Sequence, residues 1–202
     1  RVKNYWAQDL NVNKGRHNFD TMVFDYFRDS TVAFQAFKAG VYDYYQDYSA
    51  KNWATAYTGD VFESGKITRR SLDDANPQGM QGFVFNLRRD KFKSLEVRQA
   101  INLMLDFESL NRQFFYQAYT RSDSFFANSE LAGTGLPSPA ELALLEPYRE
   151  QLPAAVFNQA YQPPMTLGDG NIRSQMRQAV ALFATAGYQL KGGKMLDANG
   201  EQ

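Results

Sequence analysis

Two hundred and two residues at 23.0 kDa make one large domain or two small ones. Twenty-two Lys and Arg against twenty-two Asp and Glu leave no formal net charge and a pI near 6.8, which excludes the basic excess that a nucleic-acid or anionic-membrane partner requires. No cysteine and a single histidine, His17, exclude thiolate nucleophiles, disulfides, iron–sulfur ligation and zinc sites built from Cys or several His. A compact chain of this length is expected to bury roughly 70% of its unfolded surface, enough for a sizeable core.

In chain order, the first twenty residues are polar and turn-rich, and Thr21 to Arg28 is aromatic and β-branched enough to predict a strand. Asp29 or Ser30 caps a short helix with Val32, Ala33, Ala36 and Phe37 on one face and Gly40 as its stop. Val41 to Tyr48 is dense in Tyr and Asp, and a second short helix is expected around Lys51 to Tyr57. Strands are expected at Ile67 to Leu72 and, fully buried, at Gly82 to Leu87. The best helix starts at Ser94: Val97, Ala100, Ile101, Met104 and Leu105 form a continuous apolar stripe. Asp106 caps another, with Phe107, Leu110, Phe114 and Ala118 inward.

From Thr120 to Gly170 glycines and prolines break the pattern into loops, with a short helix near Ala140 to Leu145. The last helix runs from about Asn171 to Ala186 with Ile172, Met176, Ala179, Val180 and Phe183 on one face; Gly187 ends it and Tyr188 folds back onto it. Lys194 to Asp197 reads as a strand followed by an Asn199-Gly200 turn. The chain stops before a second arm, which leads us to expect a polypeptide continuing beyond Gln202. No apolar run approaches the roughly 18 residues of a membrane helix, and no signal peptide stands at the start.

The motifs carry little chemistry. His17 lies in a polar loop without a nucleophile elbow anywhere in the chain. The carboxylate pairs Asp73/Asp74 and Asp43/Asp47 lack the two contrasting environments that acid–base work requires. Asp197 to Glu201 imitates a calcium loop but its Gly falls too early, and Gly192-Gly193-Lys194 lacks the spacing of a phosphate loop. No cofactor, no metal and no catalytic residue is expected. The arginine pairs at 69–70 and 88–89 are solvated faces unless one lies in a cleft, where it suits a carboxylate. The aromatic material at Tyr42 to Tyr48, Trp53, Tyr57 and Phe83 to Asn86 is core or ligand surface.

Three segments in order resemble one family. Ala36-Phe37-Lys38-Ala39-Gly40-Val41-Tyr42-Asp43 is similar to a helix ending in A-G-E-x-D before a strand. Phe83 to Leu87, then Val97-Arg98-Gln99-Ala100-Ile101-Asn102 and Asp106, resembles F-N…R-V-R-Q-A-I-x-x-A-x-D. Arg177 to Tyr188 resembles A-x-x-L-L-x-E-A-G-Y, and a hairpin string follows at Gly192 to Gly200. These mark the bacterial extracellular solute-binding proteins of peptide and nickel ABC importers. The opening Arg1 to Trp6 with Asp9-Leu10-Asn11-Val12-Asn13 resembles the Yej-type oligopeptide branch. Val41 stands where the family often has Glu, and Phe183-Ala184 replaces Leu-Leu.

The resemblance implies an α/β fold, a mixed sheet with packed helices, forming part of the second lobe of a two-lobed, type II-like periplasmic binding protein. In that lobe residues 1–20 lead in from the hinge, 21–118 make a strand and helix core, 119–170 are irregular loops, and 171–202 are a helix with a truncated hairpin. The aromatic-plus-Asp region where relatives hold a peptide's ammonium group lies downstream of this chain. Non-covalent binding of an oligopeptide, closure of two lobes, delivery to an ABC permease of the inner membrane, a periplasmic location and a monomeric state are the implied properties. The implied cleft-lining positions are Val41, Asp43, Tyr44, Tyr45, Trp53, Arg69, Phe85 and Asn86. Asn86 either reads a peptide backbone through its amide or simply ends its strand. A sugar- or metal-chelate-binding relative, and a ligand-free interaction module, are the alternatives.

Overall fold

A computed structural model describes residues 3–201; Arg1 and Val2, which open the Yej-like string, and Gln202 lie outside the described residues. The chain divides into two compact units, one of residues up to Tyr48 with Thr58–Thr68, the other of Ser49–Tyr57 with everything from Arg69 onward.

The first unit is built on α1 (Ser30–Lys38). Asp29 is its cap, accepting from the backbone of Thr31 at 2.8 Å and Val32 at 3.0 Å, which satisfies two donors the helix start leaves open. Its end is a Schellman turn: Gly40 at φ +76° lets Val41 N–H reach the Ala36 carbonyl at 3.0 Å. Phe34 is buried, packed with Tyr45 at 5.7 Å between ring centres. Phe37 stacks on Tyr45 and lies against Tyr42, both at 5.6 Å. A short helix, Asp60–Glu63 (α3), brings Phe62 under the Lys38 ammonium at 5.8 Å.

The second unit contains α2 (Ala50–Thr55), capped by Ser49, and a core where α4 (Leu95–Leu103) packs on α8 (Arg173–Thr185). Val97, Ala100, Ala179 and Phe183 are buried there, with Phe92, Ile101, Leu182, Tyr188 and Met195 around them. The two alanines at 0% exposure let the helices approach closely. A 3₁₀ turn, Asp90–Phe92, is drawn onto α4 by Arg98, whose Nη1 donates to the carbonyls of Phe92 (2.6 Å) and Lys93 (2.8 Å). Ser94 caps α4, and Met104 and Leu105 of the predicted stripe fall beyond its end and are exposed.

After Asp106 comes α5 (Phe107–Phe114). Its buried position is Ser109, while Leu110 and Phe114, expected inward, are exposed. Positive φ at Tyr116 and Gln117 turns the chain before Ala118 can join the helix. The irregular stretch holds α6 (Pro139–Leu145), with a complete Ser138/Glu141 capping box, a 3₁₀ turn at Glu146–Gln151 and α7 (Ala155–Asn158). Arginines tie this stretch down: Arg112 donates to the carbonyl of Gly168 at 2.9 Å, and Arg121 to Pro164 O at 2.5 Å and Asn102 Oδ1 at 2.7 Å. Thr166 Oγ1 sits 2.5 Å from Asp106 Oδ1 and 2.9 Å from Glu108 Oε2.

The expected mixed sheet is not formed among the described residues. Residues 21–28, 67–72 and 82–87 carry no ladder. Their composition favours extended backbone, but a strand needs a hydrogen-bonded neighbour and none is supplied. The one sheet pairs β1 (Gln189–Lys191) antiparallel with β2 (Lys194–Leu196), Leu190 opposite Met195. Gly192 and Gly193, at φ +57° and +77°, are its turn, the two-residue geometry that glycines allow at both positions. The Lys194 arm therefore pairs backward, which corrects the expected one-armed hairpin. At Asn199-Gly200 the Asp197 carboxylate accepts from Asn199 N and Glu201 N and closes a separate turn. Tyr188 folds back as expected, its N–H on Phe183 O and its ring at 6.0 Å from that of Phe183.

The expected sizeable core is also smaller than length suggests. Among the described residues the buried apolar ones are Ala7, Phe34, Val97, Ala100, Ala179 and Phe183.

Candidate functional site

The eight positions named from the sequence divide evenly between the units. In the first, the turn after Gly40 sorts its side chains by the Schellman geometry. Val41, Asp43 and Tyr44 are exposed, Tyr44 at 75%, whereas Tyr45 turns inward onto Phe34 and Phe37. Tyr42, not counted among the cleft residues, donates its hydroxyl to the Ala33 carbonyl at 2.6 Å and so pins the turn to α1. Burial pushes the phenols of both Tyr42 and Tyr45 above their ordinary pKa; Asp25 adds to the first, Asp47 and Tyr42 to the second. Both phenols therefore stay neutral donors at neutral pH.

In the second unit Trp53, at the last turn of α2, meets Tyr57 edge-on at 5.4 Å. The Arg69 guanidinium lies 4.6 Å from the Trp53 ring centre and 5.6 Å from that of Tyr57, and its Nη1 donates to the Trp53 carbonyl. Tyr57, read in the sequence beside Trp53 as core or ligand surface, is not counted among the cleft-lining positions; the Trp53–Tyr57 spacing of one helical turn is the signal that joins them. Phe85 rests on Phe92 at 5.2 Å, so it serves the α4 core edge. Asn86 Oδ1 accepts from Arg88 N at 3.1 Å and its carbonyl from Arg89 N at 3.0 Å, which makes an Asx turn. Beside it Phe83 and Val84 stand out at 95% and 94% exposure.

Two shallow recesses lie elsewhere. One of about 490 Å³ is lined by Leu142, Arg149, Leu152 and Phe157, among others. Its Arg149 is already matched, bidentate on Glu146 at 2.7 and 2.8 Å and stacked on Phe157 at 4.0 Å, so the recess offers a ligand no unused charge from that residue. The other, about 350 Å³, is formed by residues 15–19 and Met22 around His17. The Trp53–Tyr57–Arg69 group, outside both recesses, holds a guanidinium against two rings and a carbonyl. Among the described residues no three His, Cys, Asp or Glu converge to hold a metal ion, and no helix is long and apolar enough to cross a membrane.

Residues 1–201 match the family model of bacterial extracellular solute-binding proteins, family 5 Middle. The chain belongs to that family. It is 45% identical over 198 residues to the uncharacterized protein YejA of Escherichia coli (strain K12), covering 98% of this chain and 33% of that protein. It is 40% identical over 200 residues to the probable peptide-binding protein YejA of Agrobacterium fabrum, again 98% of this chain and 33% of the relative. The peptidoglycan-binding protein YepA of the same organism is 36% identical over 210 residues, with all of this chain and 34% of the relative covered. The expected affinity with the Yej-type branch of family 5 thus holds, and the chain spans about a third of the length of these curated relatives. The family string at Val97 to Ile101 turns out to be architectural: Val97 and Ala100 are core, and Arg98 fastens the preceding turn.

Proposed function

We propose that the full-length protein is the substrate-binding component of an ABC importer. It holds oligopeptides without covalent chemistry between two type II-like lobes and hands them to an inner-membrane permease from the periplasm, as a monomer without a cofactor. The observation that carries this reading is the family 5 match over residues 1–201, together with a relative at 40% identity named a probable peptide-binding protein. The residues fit the task. A neutral chain with exposed aromatic rings, an amide at Asn86 and an arginine at Arg69 can meet peptide backbone and side chains of many kinds without any nucleophile. Val41, Asp43 and Tyr44 remain proposed contacts, as do Trp53 and Asn86, while Tyr45 packs on Phe37 and Phe85 on Phe92.

Lobe closure follows from differential affinity: a peptide that touches both lobes favours the closed state by the contacts that the open state lacks. Mass spectrometry of ligand co-purifying with the full-length protein tests the reading, followed by calorimetric titration of the species found. Short peptides are the expected cargo. A bare sugar or a metal chelate in their place overturns it. A peptidoglycan fragment bound through its peptide stem supports it and brings the protein close to the YepA relative's named ligand.

A further inference from the structure

We propose that Asn199 is a site of spontaneous deamidation whose rate is governed by the Asp197 turn, so that the protein carries a chemical mark of its own age. This is independent of what the protein binds. Asn199 is the one asparagine of the chain followed by glycine. Every other asparagine precedes a residue whose side chain crowds the backbone nitrogen, or Pro77, whose nitrogen has no hydrogen to lose. The structure adds a second distinction. Asn111 is held by both ends of its amide on the Tyr119 backbone, Asn102 Oδ1 accepts from Arg121, and Asn128 Nδ2 donates to the Asp74 and Asn76 carbonyls. Asn199 is exposed, its carboxamide makes no hydrogen bond among the described residues, and Gly200, at φ +81°, has no Cβ to shield its nitrogen.

The chemistry needs only water. The Gly200 nitrogen gives its proton to solvent and attacks Asn199 Cγ. The new C–N bond forms, the Cγ–Nδ2 bond breaks, and Nδ2 leaves as ammonia with a proton taken from solvent. Water then opens the cyclic imide: addition at Cγ yields aspartate, and addition at the main-chain carbonyl yields isoaspartate. The turn holds the first step back. Gly200 N–H donates to the Asp197 carbonyl at 3.1 Å, while Asp197 Oδ1 clamps the nitrogens on either side, Asn199 N at 2.9 Å and Glu201 N at 2.8 Å. The nucleophile is released only when this turn opens. Either product sets a new carboxylate between Asp197 and Glu201, and isoaspartate also lengthens the backbone by one carbon, so the original clamp does not re-form.

The test is peptide mass mapping of the full-length protein during incubation at mildly alkaline pH, with isoaspartate scored by enzymatic methylation. The peptide that contains Asn199 should show the amide-to-acid mass change and take the label, while those of Asn102, Asn111 and Asn128 keep their amides. Asp197→Ala removes two charge-assisted hydrogen bonds and should hasten the change about tenfold. The unsubstituted protein unfolded in urea should change at least as fast, a comparison that needs no variant to fold. Asn199→Gln should abolish the label from that peptide. Loss of the amide at Asn199 no faster than at the other asparagines overturns the site. Equal rates in the unsubstituted protein, in Asp197→Ala and in urea overturn the control by the turn.

Discussion

At Asn86 one side chain carries two possible duties, and the structure separates them by atom. Oδ1 is committed to the turn at Arg88, so only the amide Nδ2 is left to donate to a ligand. Asn86→Asp keeps the acceptor and removes the donor. We expect peptide affinity of the full-length protein to fall about fivefold, the value of one hydrogen bond, with the melting temperature unchanged. Unchanged affinity would make Asn86 a turn residue alone.

Gly168 is the sharper structural position: it sits at φ +68°, and a Cβ there would meet Arg112 Nη2 at 3.0 Å and the Glu108 Cβ at 3.1 Å. Gly168→Ala should therefore cost roughly 1–3 kcal/mol in urea unfolding, by backbone strain and by prising Arg112 from the Gly168 carbonyl. At Asp29 the effect is one of pH. Hydrogen bonds from Val32 and Thr31 hold its carboxyl below the ordinary 3.8. A depressed folded value means stability present above 3.8 and lost as the pH falls through the folded value. The melting-temperature difference between the unsubstituted protein and Asp29→Asn should disappear in that acid range and be constant above it.

Among the elements, the α4–α8 pair is where packing decides most. Ala100 faces a space with no room to spare, and Ala100→Leu should lower stability by about 1–3 kcal/mol through overpacking. Phe183→Ala, by emptying the same seam, should cost about 3–5 kcal/mol. Equal urea midpoints for these variants and the unsubstituted protein would show that the seam is not tight. The helices of this seam were legible in sequence because they carry their own signals: Ser94 as cap, the Val97–Ala100–Ile101 spacing, Gly187 as stop.

Strands were not legible in the same way. Val84 and Phe85 say only that the backbone is extended, and pairing depends on a neighbour that composition does not name. The hairpin shows it from the other side: Asn199-Gly200 looked like the stronger turn, yet Gly192-Gly193 won because Leu190 could lie opposite Met195 beside the core. The Trp53–Tyr57–Arg69 group was half legible. Its two ends lie sixteen residues apart, a separation at which sequence gives no register.

For the whole molecule, the balance between buried and exposed apolar side chains is the quantity that matters. Met22, Val23, Phe24, Tyr26, Phe83 and Val84 all stand exposed. Produced by itself, the 202-residue chain should bind a hydrophobic dye such as ANS and unfold over a broad urea range, whereas the full-length protein should not bind the dye and should unfold sharply. A sharp, ANS-silent transition of the isolated chain would favour the ligand-free interaction module instead. The α4–α8 seam has a further consequence. It fastens positions either side of a long excursion, residues 104–172, whose hydrogen bonds to the rest of the chain include Arg121 to Asn102, Asn128 to the Asp74 and Asn76 carbonyls and Gln78 N–H to the Ala127 carbonyl. Once the ends of a loop are fastened, doubling its length adds only about 0.6 kcal/mol of closure entropy. Insertions and deletions can therefore accumulate there over evolutionary time at small thermodynamic penalty, which makes the excursion the natural place to splice in a tag or reporter without disturbing the helices that flank it.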